Sequence, residues 1–224
     1  MGVSFPAGTI VRTGAERATL VRRTYALVFV SVLVTIAGVM FALSQPSILE
    51  TVAAHPFLTF LGPLVPLFMV NRFREQFPLN IGLVFLFTFG MGLYISPAIY
   101  VYGQQQPGLI TQAAVMTIGA FLVLTSYAFI SRRDFSAWGS FFFVGLFVVI
   151  GGSLLNIFFF HNAAIDVAIA SVTILVFSGL LVFDTWRIRN VYGPNDYASA
   201  AVSIYLDLLN LFLAILRVLG GRRN

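Results

Sequence analysis

The sequence predicts an all-α, polytopic membrane protein, a bundle of seven transmembrane helices, on three observations. First, 59% of its 224 residues are hydrophobic and 9% are charged, where a soluble domain carries about 25% charged residues. Second, the apolar residues fall into seven runs near the ~20 residues that cross a bilayer as a helix. Third, ten of the thirteen arginines fall in segments that alternation of those runs places on one side of the membrane, the pattern of cytoplasmic loops. The expected organisation is an N-terminal cytoplasmic tail (1–22), one seven-helix domain (23–220) and a short C-terminal tail (221–224).

Each run has its own signature. The first, 24–43, opens "TYALVFVSVLV" after Arg12, Arg17, Arg22 and Arg23. The second, 56–71, is short, is interrupted by Pro63 and Pro66, and is followed by Arg72 and Arg74; a proline inside a helix removes a hydrogen bond, so a break is expected there. The third, 79–102, carries Thr88, Gly92 and Ser96 at intervals of four. That stripe of small residues lets a neighbouring helix approach closely, and Pro97 should bend the helix. The fourth, 109–130, precedes Arg132 and Arg133. In the fifth, 138–160, Gly151, Gly152 and Ser153 are expected to form a similar packing face. The sixth, 164–185, precedes Arg187 and Arg189. The seventh is 198–219. With seven full crossings Arg222 and Arg223 end on the far side; either those charges are tolerated there or the last segment does not cross fully, and seven crossings is the reading adopted.

Composition excludes much. There is no cysteine, so no disulfide, thiolate nucleophile or thiolate metal site. The two histidines, His55 and His161, fall in expected loops. No lysine is present, which rules out a retinal Schiff base. HExxH, GxSxG and Walker A motifs are missing, and "FDTW" and "LDLL" lack the GxGD pattern of intramembrane aspartyl proteases, so no enzyme is expected. The net charge of +5 comes from loop arginines that set topology, not from a nucleic-acid surface. The first 23 residues are too polar for a cleaved signal peptide, and Pro6 stands where N-myristoylation wants Ser or Thr.

The anomaly is Asp207, mid-way along "AAVSIYLDLLNLFLAIL". A carboxylate at the bilayer centre costs roughly 2.5–3.5 kcal/mol on insertion scales. Ser203, Asp207, Asn210, Ala214 and Arg217 share one helix face, which should turn toward the bundle interior. Asp184, near the cytoplasmic end of the sixth run, is the natural partner. Two carboxylates in contact cannot both ionise cheaply and would share one proton. The singly protonated pair is compact; losing that proton makes the acids repel, opens space and offers oxygens to a cation. Against this stand two quieter readings, an interfacial Asp184 paired with Arg187 and an Asp207 serving as hydrogen-bonding glue. Asn156, Asn210 and Ser153 also read more readily as packing polar groups than as ion ligands.

Four stretches, "SRRDFSAWGSFFFVGL", "SLLNIF", "FSGLLVFDTWRI" and "YASAAVSIYLDLLNLFLAILRVLG", resemble the BAX-inhibitor-motif (TMBIM) membrane family over nearly all of the chain beyond the first 20 or so residues. The start "TLVRRTYALVFVS" is most similar to the bacterial branch that modulates a membrane-anchored ATP-dependent protease. The resemblance implies six helices around a central seventh. It implies a pH-sensitive cation leak, best described for calcium, with an aspartate pair at the positions of Asp184 and Asp207. It also implies an arginine from the end of the second helix, here Arg74 or Arg72, that holds the pair closed. Ser203, Asn210 and Asn156 are the supporting polar residues. No cofactor is called for beyond a weak, transient calcium ion on Asp184 and Asp207. The partners expected are the bilayer, the cation and, in the alternative reading, the protease; no nucleic acid is expected. The expected location is the bacterial inner membrane.

Overall fold

The computed structural model describes residues 14–73 and 76–221, and every regular element among them is helical. The elements are α1 (Gly14–Ser44), α2 (Pro46–Ala54), α3 (Pro56–Arg72), α4 (Leu79–Gln105), α5 (Leu109–Ile130), α6 (Ser136–Leu155, continued as a π-helical turn Asn156–Phe160), α7 (Ala163–Asn190) and α8 (Tyr197–Gly221). Six helices are long and apolar enough to cross a membrane, and α2 with α3 forms a further pair bent by 97°. The expected seven runs therefore map onto six spans and one bent pair.

The bend corrects an expectation. It falls at His55, between α2 and α3, while α3 runs unbroken through Pro63 and Pro66. Pro56 opens α3, a position where its missing N–H would be unpaired in any helix. The Pro63 ring packs into a notch on α4, where a Cβ on Gly90 would stand 2.7 Å from it. At Pro97, α4 also continues: proline deprives the Leu93 carbonyl of its donor, and the Ser96 hydroxyl donates to that oxygen instead at 2.7 Å.

The small-residue stripe of α4 does what its spacing suggests. Thr88, Gly92 and Ser96 are buried; a Cβ on Gly92 would run into the Thr35 carbonyl, and one on Gly38 would lie 2.5 Å from the Phe89 carbonyl. At that crossing Thr35 Oγ1 donates to the Thr88 carbonyl (3.0 Å) and lies 2.7 Å from the Tyr205 hydroxyl of α8. The second expected stripe is corrected. A Cβ on Gly151 would meet open space and one on Gly152 only ordinary contact with Ile169, while the close approach of α6 to α7 is made by Gly139 against Phe183 and Gly179 against Phe142.

Packing grades from inside to outside. α8 packs against α1, α3, α4, α5 and α7, and a core of Leu20, Val70, Val84, Phe87, Leu181, Ile204 and Tyr205 joins five helices. α6 packs on α7 and buries only Val149. Contacts fix the two ends of the bundle. Arg23 with Tyr197, Asn80 with Tyr197 and Asn71 with Ser199 meet at one end; Arg217 and Asp166 (3.7 Å) meet at the other.

Candidate functional site

The site is built where α7 turns into α8. α7 runs to Asn190, five residues beyond the expected 185, because Arg187 and Arg189 suit the negative end of a helix dipole. The amides of Val191 and Tyr192 both donate to the Arg187 carbonyl (2.7 and 2.9 Å), ending the helix ahead of Pro194. Gly193 donates to Asp196 Oδ2 (2.7 Å), closing a tight turn, and the Asp196 carbonyl accepts from Ala200 to start α8. Asp184 thus lies six residues, ~9 Å, inside its helix end, and Asp207 ten residues, ~15 Å, into α8.

The two acids meet. Asp184 and Asp207 are both buried (8% and 3% exposed), and their carboxyl groups lie close enough to interact directly. A bond between two carboxyl groups needs one proton between them. Asp207 Oδ2 receives no hydrogen bond from any amide, hydroxyl or guanidinium group among the described residues. Asp184 is also held from the other side: Arg187 Nη1 donates to its Oδ1 at 2.9 Å. The contact with Arg187 therefore does not exclude Asp207 from the other side of Asp184.

Arg187 is clamped. Its guanidinium lies 4.5 Å from the Tyr192 ring centroid and 5.5 Å from that of Phe183, within cation–π range. The Tyr192 hydroxyl lies 3.3 Å from Ser203 Oγ, tying the clamp to α8. Burial, and then the charge of Asp184, push the Tyr192 phenol above its ordinary range, so it stays neutral. Sharing one proton, the acid pair would carry −1 against the +1 of Arg187, and a cluster of zero net charge is far less costly to bury in a low-dielectric interior.

The other expected site residues divide. Ser203 belongs to the site through Tyr192. Asn210 Nδ2 donates to the Leu206 carbonyl of its own helix (2.8 Å). Asn156 is remote. It closes the turn between α6 and α7 through Asn162 (3.1 Å to both its carbonyl and amide), about 21 residues or ~32 Å along α7 from Asp184. Arg72 is exposed at the end of α3, and the cation on Asp184 is Arg187; Arg74 lies outside the described residues. No cluster of three or more His, Cys, Asp or Glu capable of holding a metal occurs among the described residues, so the pair offers a cation two carboxyl groups and whatever water accompanies it.

Tyr192 had no signal in the sequence. Arg189 had one, as a loop charge, but its task is local: its guanidinium donates to the carbonyls of Phe129 (2.7 Å), Ser131 (3.0 Å) and Ala128 (3.3 Å), capping α5.

Known proteins resemble this chain along nearly its whole length. Residues 17–224 match the family model described as inhibitor of apoptosis-promoting Bax1. Bax inhibitor 1 of Schizosaccharomyces pombe is 34% identical over 212 residues, 93% of this chain and 78% of that protein. Protein lifeguard 4 of mouse is 32% identical over 206 residues, covering 91% and 85%. An uncharacterized protein of Campylobacter jejuni is 32% identical over 212 residues, covering 92% and 89%. The chain belongs to the Bax inhibitor family of membrane proteins.

Proposed function

We propose, taking that membership as the premise, that the chain is a pH-sensitive cation leak pathway, with calcium the best-fitting ion, in which α8 is the central post and the Asp184–Asp207 pair is the gate. We place it in a bacterial inner membrane with the N-terminus in the cytoplasm, on the strength of the one-sided arginines. One observation supports the reading: two buried acids from adjacent helices face each other, with a clamped arginine on Asp184. A purely structural helix contact would be served by neutral side chains at lower cost.

The chemistry follows from charge. With one proton the cluster is neutral and compact, and the path is shut. Removing that proton leaves two carboxylates against one guanidinium; they repel, draw in water and present oxygens to a cation. Adding a second proton leaves Arg187 without its anion and releases the clamp. Two carboxylates fall short of the six to eight oxygens calcium prefers, so binding is weak, and weak binding favours passage because conduction requires release. From the opposite end, a vestibule of about 380 Å³ beside Arg217, Tyr94 and Tyr102 reaches Leu213, six residues (~9 Å) along α8 from Asp207. The intervening stretch of α8 is the barrier.

The test is cation flux into proteoliposomes across pH. The expected profile has its minimum where the pair holds one proton. Asp184→Asn and Asp207→Asn should flatten it, and a pH-independent flux in the unaltered protein would sink the proposal. A second reading rests on the start "TLVRRTYALVFVS": docking on a membrane-anchored ATP-dependent protease as a non-enzymatic modulator. Co-purification lost on deleting residues 1–20, from a protein that conducts no ion, would favour it.

A further inference from the structure

α1 and α4 touch backbone to backbone at Gly38 and Gly92, and toward the arginine-rich end a groove of about 580 Å³ opens between them. Its walls are graded. Leu27, Val30 and Phe85 line the part that runs into the membrane, and Arg23, Asn80 and Tyr197 stand at the end nearest the loops. The polar end is assembled across three elements. Asn80 Nδ2 donates to the Tyr197 hydroxyl (3.0 Å), which leaves that hydroxyl its own hydrogen to donate outward. The Arg23 guanidinium lies 5.8 Å from the Tyr197 ring centroid and makes no ion pair with a carboxylate among the described residues.

We propose that this groove holds an anionic phospholipid, its phosphate on Arg23 and the Tyr197 hydroxyl and one acyl chain along Leu27, Val30 and Phe85. The match is one of charge and of gradient. A guanidinium binds phosphate through paired N–H donors. The exposed Arg22 alongside adds positive field that favours a lipid of net negative charge over one carrying a choline cation. An apolar trough continuous with the polar end suits an amphiphile that reaches it sideways from the bilayer. The proposal requires only that this end of the bundle lie at the membrane–water boundary, and it is independent of the acid pair.

Native mass spectrometry of the full chain in detergent, with phosphatidylglycerol and phosphatidylcholine of the same acyl chains at equal concentration, tests it. The expected result is phosphatidylglycerol retained about five- to tenfold over phosphatidylcholine. Arg23→Gln should abolish that preference, and Tyr197→Phe, which removes one hydroxyl, should reduce it. Arg132→Gln removes an exposed charge at the same end but outside the groove and should leave the preference intact. Equal retention of the two lipids by the unaltered protein would overturn the proposal. So would an equal loss in Arg23→Gln and Arg132→Gln, since attraction would then be diffuse. If Arg23→Gln does not fold, Tyr197→Phe decides alone: an unchanged preference refutes the site.

Discussion

α6 and α8 both pack against α7 and are similar in length, yet they live in different solvents. α6 is a near-continuous run of Phe, Val, Leu and Gly, and buries Val149 alone. α8 carries Asp207, Asn210 and Ser203 and buries residues along its whole length, from Ala198 to Gly220. In water the more apolar helix would take the interior. In lipid the preference reverses: hydrocarbon tails solvate Phe and Val as well as protein does, whereas a carboxyl group finds a partner only among other helices. Polarity, not hydrophobicity, marks the inside of this bundle.

The contrast can be broken by substitutions of matched kind. The largest effect is expected from overfilling: Ala201→Leu at a fully buried position of α8 should cost about 3 kcal/mol. Gly151→Ala on α6, where a Cβ meets nothing, should leave thermal unfolding in detergent unchanged or raise it slightly. Next comes Arg189→Ala, which uncaps three carbonyls of α5 and should cost about 2 kcal/mol by the same measurement. Tyr205→Phe removes the hydroxyl that meets Thr35 and should cost about 1 kcal/mol, near the upper range for interhelical hydrogen bonds in membranes. The smallest change is expected from Phe147→Leu on the lipid face of α6, within about 0.5 kcal/mol. A Phe147→Leu loss larger than that of Tyr205→Phe would show that α6 is covered by a protein surface rather than by lipid.

The spans were legible because each is a long apolar run, and the burial of Asp207 because a carboxylate in such a run has nowhere else to go. The Thr88–Gly92–Ser96 stripe was legible as well, since a spacing of four needs no tertiary knowledge. Three things were not. The break at His55 was hidden because proline marks a helix start as readily as an interruption, and only the Gly90 notch shows why Pro63 is accommodated. Arg187 was visible as a neighbour three residues from Asp184, but that it bonds Asp184 on the same helix depends on α7 continuing to Asn190. The distance of Asn156 from the acids follows from which end of α6 meets α7, a matter of three-dimensional order rather than of residue type.

The elbow at His55 reaches beyond the protein. At 17 residues α3 is ~26 Å long, a few ångströms short of a hydrocarbon core of about 30 Å. Lipids beside α3 must therefore compress, or α2 must settle among their headgroups, and either adjustment grows more costly as the bilayer thickens. Where α3 crosses by itself, that flank would favour a thin membrane, and a dimple in the leaflet would travel with the protein.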